Sequence, residues 1–346
     1  MSSSSKPEDT ASRQRLLRLG RQLFALAIGI VGGIAAYFAG LPLPWVTGPL
    51  ISVAAASILG WPIEGPLGLM PVAFILMGAS GGSGVTPEAL GQIHKWPLSL
   101  AVLFITFPLG SWIGYRMLRR WGWDRDTAVL SALPGALSVI TATAIDRGAD
   151  VQRVAGVQTL RVVILVLFLP MIVLPDMPSR PSAPFLSFDL LLLISVCAAA
   201  GFIAARMKVP GGWIVGALIA SAALHGSSAT HAAVPPLAMN AALVCLGTVI
   251  GSRFASLSRR ILFSTLGIGV AIFAVATIVA AAGAVVVSAV TGMDFILPLL
   301  AFAPGGLDAM IALATVMHLD PAYVGLHHIL RFLAISLSLP WLLRNI

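Results

Sequence analysis

Two arginines, Arg161 and Arg331, stand inside long apolar runs, each three residues after a polar partner, Gln158 and His328. A guanidinium at membrane depth is costly and is found paired or in a functional role. One reading gives these arginines a contact to an anionic substrate or to Asp308. The other has each snorkel to the interface, since each lies only about ten residues from the start of its helix. Pro134-Gly135 and Pro304-Gly305-Gly306 interrupt apolar segments. Proline lacks an N–H and glycine permits unusual backbone angles, so a helix can break there. A break frees amides at the start of the following half-helix, and those amides with the helix dipole favour an anion or a polar ligand. A simple kink is the alternative. Asp308 follows Pro304 by four residues and suits either a proton or cation site or a first-turn acid that answers the dipole. Ser138 occupies the matching place in the first copy. Asp150 and Asp320 precede the arginine-bearing segments and suit N-terminal capping. Thr141, Thr143 and Asn240 fit either a pathway lining or interhelical hydrogen bonding.

Enzymatic chemistry finds little support. Cys197 and Cys245 both sit in apolar runs, which argues against a disulfide framework or a cysteine metal site. The histidines are His94, His225, His231, His318, His327 and His328. His327 and His328 are adjacent, so on a helix they diverge by about 100° and do not face one metal easily. No nucleophile–base set is visible. The expectation is a non-enzyme without cofactor or metal.

The elements that must carry these residues are membrane helices. Of the 346 residues, 58% are apolar and only 10% charged, with a mean hydropathy of +0.97. Soluble domains carry nearer a quarter charged residues, so lipid is the solvent that accepts the excess. About a dozen apolar segments lie near 23–39, 44–59, 67–80, 97–118, 127–145, 152–174, 188–205, 211–225, 234–250, 261–290, 296–317 and 322–343. A spanning helix needs about 20 apolar residues, and several of these are shorter or carry Pro and Gly, as segments that pack in protein or line a cavity do. Residues 1–21 form a basic tail with Arg13, Arg15, Arg18 and Arg21 and little expected structure. The first apolar run is too long for a signal peptide and is read as a transmembrane helix anchored by that tail on the cytoplasmic side. The net charge of +8 then reflects cytoplasmic loops rather than nucleic-acid binding. A first membrane repeat spans 22–175 and a second 188–346. Between them, the connection 176–187 holds Pro178, Pro181 and Pro184.

An internal repeat is the most specific signal. PGALSVITATAIDRGADVQRVAGVQTLRVVILVLFLP, residues 134–170, aligns without a gap to PGGLDAMIALATVMHLDPAYVGLHHILRFLAISLSLP, residues 304–340, at an offset of 170. Matched Pro, Gly, Asp and Arg in one register point to duplication. Pro44 to Gly48 likewise resembles Gly212 to Gly216. Arginines cluster after the fourth apolar segment in the first half (116, 119, 120, 125) and after the ninth in the second (253, 259, 260). If both clusters are cytoplasmic, the copies insert in opposite senses, with the Pro-Gly segments broken or re-entrant. Parallel six-helix halves with noisy charge counts are the alternative.

The paired motifs PGALSVITATAIDRGADVQRVAGVQTLR and PGGLDAMIALATVMHLDPAYVGLHHILR, with LPLPWVTGPL and VPGGWIVGALI, resemble the AbrB-type membrane duplication family over nearly all of 23–343. Members of that family have been labelled ammonia monooxygenases and also regulators of gene expression. The family is similar in design to the cation–proton antiporter and anion transporter superfamily, which implies inverted repeats. Ala136 and Ser138 depart from the Gly306 and Asp308 of the second copy, so an acid at that site is asymmetric. The supply of histidine and carboxylate ligands disfavours a copper or iron oxygenase. No groove-reading element supports a DNA-binding regulator. The expectation is therefore an all-α, polytopic inner-membrane protein, N-terminus cytoplasmic, of two pseudo-symmetric repeats. It would be transporter-like and move a small polar or anionic solute, with proton or sodium coupling and self-association open. Its substrate site would comprise Pro134, Gly135, Ser138, Gln158, Arg161, Pro304, Gly305, Gly306, Asp308, His328 and Arg331. A membrane-embedded sensor acting indirectly on gene expression is the alternative.

Overall fold

The computed structural model describes residues 7–84, 93–135, 137–173 and 187–345. Over these residues the chain is all-helical, and seven helices are long and apolar enough to cross a bilayer. The helices are α1 (Pro7–Phe38), α2 (Pro44–Ile58), α3 (Met70–Gly82), α4 (Trp96–Arg120), α5 (Arg125–Ala132), α6 (Leu137–Asp146) and α7 (Val151–Val173). They continue as α8 (Phe188–Arg206), α9 (Gly212–Gly226), α10 (Pro236–Ser252), α11 (Arg259–Thr291), α12 (Ile296–Phe302), α13 (Leu307–Val316) and α14 (Pro321–Asn345). The expected connection 176–187 lies outside the described residues except for Ser187, whose Oγ accepts a hydrogen bond from Leu190 N and caps α8.

The chain divides into two compact units, residues 1–70 with 243–256, and residues 71–242 with 257–346. These do not follow the sequence halves. In the first unit α1 corrects the sequence reading. Where little structure was expected before Leu23, a helix already runs from Pro7. Arg, Gln and Leu are good helix formers, and the exposed stem is tied down where Arg18 Nε meets Glu64 Oε1 at 2.6 Å. The helices α1 and α2 pack at backbone distance. A Cβ on Gly48 would fall 2.2 Å from Gly32 O, so only glycine fits.

The second unit holds the interruptions. Here α8 and α9 pack in the same manner, and a Cβ on Gly216 would fall 2.5 Å from Ala200 O. Close backbone approach through small residues is the usual way helices associate in lipid, where burial of apolar area supplies no drive. The long helix α11 packs against both α4 and α7. The core of Leu130, Leu133, Ile140, Val154, Ile335 and Leu339 joins α5, α6, α7 and α14. Proline alone does not break these helices. Pro49, Pro108, Pro170 and Pro340 all lie inside continuous ones.

Candidate functional site

Both Pro-Gly sequences do end a helix. Between them, α5 stops at Ala132 and α6 starts at Leu137, and α12 stops at Phe302 and α13 starts at Leu307. Gly135 adopts φ 95°, a left-handed conformation that a side chain resists. The cap of α13, Gly306, offers no side-chain hydrogen bond, so the first amides of α13 receive no cap from their own segment. The two interruptions meet, for a Cβ on Gly135 would lie 3.7 Å from Gly305 O. Between them is a cavity of about 20 Å³ lined by Pro134, Pro304, Arg331, Thr106 and Ser111. A volume near 15 Å³ is enough for one water-sized guest.

The arginines close the helix ends left open by the breaks. Arg331 Nη1 donates to Ala303 O at 2.8 Å and Phe302 O at 3.4 Å, and its Nη2 to Gly305 O at 2.8 Å and His328 Nδ1 at 2.7 Å. His328 Nε2 in turn donates to Leu300 O at 3.2 Å. At the first break Arg161 Nη1 donates to Leu133 O at 3.2 Å and its Nη2 to Gln158 Oε1. Gln158 Nε2 donates to Leu130 O at 3.0 Å and Leu133 O at 2.9 Å. Leu130 and Leu300, Leu133 and Ala303, Gln158 and His328, and Arg161 and Arg331 all stand 170 residues apart. An amide and an imidazole thus serve one purpose, each satisfying a carbonyl at a helix C-terminus. Neither guanidinium snorkels, with exposures of 3% and 2%.

Neither arginine enters an ion pair among the described residues. Among the described residues the two buried positive charges are thus met by neutral acceptors, backbone carbonyls with the Gln158 amide oxygen and the His328 ring, and Arg161 Nε–H has no acceptor. Burying a charge without a counter-charge is expensive, and the region favours a negative guest.

Asp308 lies in the first turn of α13, and a Cβ on Gly211 would fall 2.9 Å from its Oδ1. The carboxylate therefore faces the N-terminus of α9, where a negative charge is stabilised. Gly211, at φ 63°, is the cap of α9 and lies within the VPGGWIVGALI block, so both motifs of the second half converge here. The side chain of Ser138 lies outside what is described. Asp150 and Asp320 act as caps, Asp150 Oδ1 accepting from Arg153 N at 3.0 Å and Asp320 Oδ1 from Ala322 N at 2.9 Å.

One polar cluster was not foreseen. Ser99 on α4 meets Tyr323 Oη and, at 2.8 Å, His327 Nε2, and all three side chains are fully buried. His327 Nδ1 faces Tyr323 O at 2.8 Å, so in the neutral ring Nδ1 carries the proton and Nε2 accepts from Ser99. Ser99 then accepts from Tyr323. A serine–histidine contact of this length resembles a nucleophile and its base, but with no exposure it offers no substrate access and works as an interhelical tie. Its signal in the sequence is His327 one position before a repeat-matched residue.

A family model described as "Transition state regulatory protein AbrB" matches residues 45–346. Among curated relatives, "Uncharacterized protein YhjN" of Bacillus subtilis (strain 168) is 26% identical, the alignment covering 92% of this chain and 91% of that one. "Putative regulator AbrB" of Escherichia coli (strain K12) is 27% identical over 88% of this chain and 90% of its own.

Proposed function

The chain belongs to the AbrB family, and we propose that it is a secondary-transporter-like inner-membrane protein that moves a small anionic solute. One observation carries the reading. Two interrupted helices meet at a cavity lined by the buried Arg331 guanidinium, and neither it nor the buried Arg161 that braces the other break has a carboxylate partner among the described residues. Discontinuous helices whose half-helix N-termini point at a guest are a recurring design of secondary transporters. The solute's negative group would sit against Arg331 and the amides of α13, with Pro134, Gly135, Pro304 and Gly305 forming its walls. Gln158, Arg161 and His328 hold those walls in place. A guest larger than water requires the breaks to separate, which is the movement alternating access needs. Asp308 is the group we assign to coupling with a proton or sodium ion. The two halves are read as a duplication inserted in opposite senses, with the N-terminus cytoplasmic. The protein is not assigned an enzymatic activity or a cofactor.

The test uses purified full-length protein in sealed proteoliposomes. Uptake of labelled small carboxylates, chloride and inorganic phosphate is measured under an imposed pH or sodium gradient. Ser111→Leu is the informative variant. Among the described residues Ser111 Oγ donates to Phe107 O of its own helix, so leucine fills the cavity and orphans no described partner outside α4. Flux in the parent and none in an equally stable Ser111→Leu protein is the expected result. If no anion moves under either gradient while deletion of the gene still alters transcription, the regulator suggested by the Escherichia coli relative's name replaces transport.

A further inference from the structure

Toward the C-terminal end of α4, next to the cavity at the helix breaks, lies a groove whose arginine-lined mouth the transport reading does not use. This apolar groove of about 650 Å³ is walled by Phe104, Phe107 and Trp112 of α4, Val129 of α5 and Leu342 of α14. That volume is within the range of pockets that hold organic ligands, about 300–1,000 Å³. At one end the groove is bounded by Tyr115 and Arg116, and these two residues also line an adjoining basin of about 300 Å³ whose other walls are Arg119 and Arg120. Positions 116, 119 and 120 share one helix face. All three arginines are exposed, and none belongs to the ion pairs found among the described residues. The nearby acids are already engaged. Asp126 pairs with Arg147 at 3.3 Å, and Asp124 accepts from Thr127 N at 2.9 Å as the cap of α5. Arg119 is held by a hydrogen bond from Nη1 to Trp123 O at 2.8 Å, and Arg116 lies over the Trp112 ring at 5.7 Å. Tryptophan and tyrosine beside arginine at a helix end mark the headgroup level of a bilayer.

We infer that this is a binding site for an anionic phospholipid. One acyl chain lies in the groove, and the phosphate is held by Arg116, Arg119 and Arg120. The chemistry matches on both counts. Guanidinium forks match phosphate oxygens geometrically, and basic pockets between membrane helices take charged lipid headgroups. A zwitterionic lipid satisfies the groove but leaves the three cations without a net counter-charge. A soluble phosphate satisfies the cations but leaves the groove unfilled. The groove shares Phe107, Ser111 and Ala132 with the cavity at the helix breaks, but the three arginines line only the groove and its basin.

Native mass spectrometry of the purified full chain, after exchange into phosphatidylglycerol or phosphatidylcholine at equal mole fraction, tests it. The wild type is expected to retain phosphatidylglycerol at least tenfold more strongly, with the preference shrinking as salt rises toward 1 M, where the screening length falls to about 3 Å. The triple variant Arg116→Gln, Arg119→Gln, Arg120→Gln is expected to hold both lipids alike. Ser338→Trp, which fills the groove from α14, is expected to lose both. Equal retention of the two lipids by the wild type overturns the assignment, and this needs no variant to fold. So does binding of glycerol 1-phosphate as strong as that of the intact lipid, or a folded triple variant that keeps its preference.

Discussion

Replacing each buried arginine by methionine should destabilise the protein unequally, although the two look equivalent in sequence. Both guanidinium groups are almost wholly buried and neither has a carboxylate partner among the described residues. Removing either charge therefore relieves a similar desolvation cost, and that contribution cancels in the comparison. Each also leaves one side chain, Gln158 or His328, short of a partner. What differs is the backbone. Without Arg161, Leu133 O still accepts from Gln158 Nε2 at 2.9 Å. Without Arg331, Ala303 O keeps Gly305 N at 2.7 Å, but Gly305 O and Phe302 O lose the donors described above. An orphaned buried carbonyl costs about 1–3 kcal/mol, so two give about 2–6 kcal/mol. A water in the neighbouring cavity can partly satisfy Phe302, which places the expected difference at the lower end, about 2 kcal/mol. Equilibrium unfolding in mixed micelles, followed by tryptophan fluorescence, gives the difference directly. Arg331→Met should be the weaker protein. Equal losses, or a larger loss for Arg161→Met, would refute the idea that these arginines act mainly by closing helix ends.

Three further outcomes are expected. Gly216→Ala forces a Cβ to within 2.5 Å of Ala200 O and should cost about 1–3 kcal/mol in the same assay. Gly226→Ala, which meets nothing within 4 Å, should be neutral. Ser99→Ala strands both His327 Nε2 and Tyr323 Oη and should cost about 2–4 kcal/mol, whereas Tyr323→Phe leaves the serine–histidine bond intact and should cost about 1 kcal/mol. Similar losses for these two variants would show that the serine is not the hub. Burial by itself would raise the Asp124 carboxyl, but hydrogen bonds from Thr127 and the charge of Arg153 outweigh it and hold the group below its ordinary 3.8. A lowered carboxyl contributes stability above the unfolded value and loses it as pH falls through the folded one. Wild-type stability should therefore decline below about pH 4 more than that of Asp124→Asn, which keeps the cap. Parallel pH curves for the two proteins would rule this out.

Much of the second unit was legible in the chain. The interruptions could be read because glycine follows proline at both places, while the lone prolines at 49, 108, 170 and 340 only sit within helices. The arginines stood out because a charge in an apolar run has no inexpensive explanation. Their targets did not, since a backbone carbonyl leaves no trace in residue type. For the same reason the shared task of Gln158 and His328 was hidden behind two different side chains. Ser99 escaped notice because its partners lie 224 and 228 positions away, and apolar segments resemble one another too closely to reveal who neighbours whom. The early start of α1 was missed because a charged surface helix carries no apolar stripe. The grouping into packed units escaped too, because the likeness of residues 134–170 to 304–340 carries no information on which helices touch.

The short stems before the breaks bear on how the protein is made. At eight and seven residues, α5 and α12 are below the length at which a helix holds by itself, roughly 12–15 residues. The side chains that complete them sit about 28 positions downstream, as the Gln158–Leu130 and His328–Leu300 bonds record. During synthesis each stem must therefore leave the ribosome before its clamp exists. Each stem and its clamping helix should enter the bilayer as one unit, and a nascent chain arrested between Pro304 and Arg331 would carry a last segment with no settled place in the lipid.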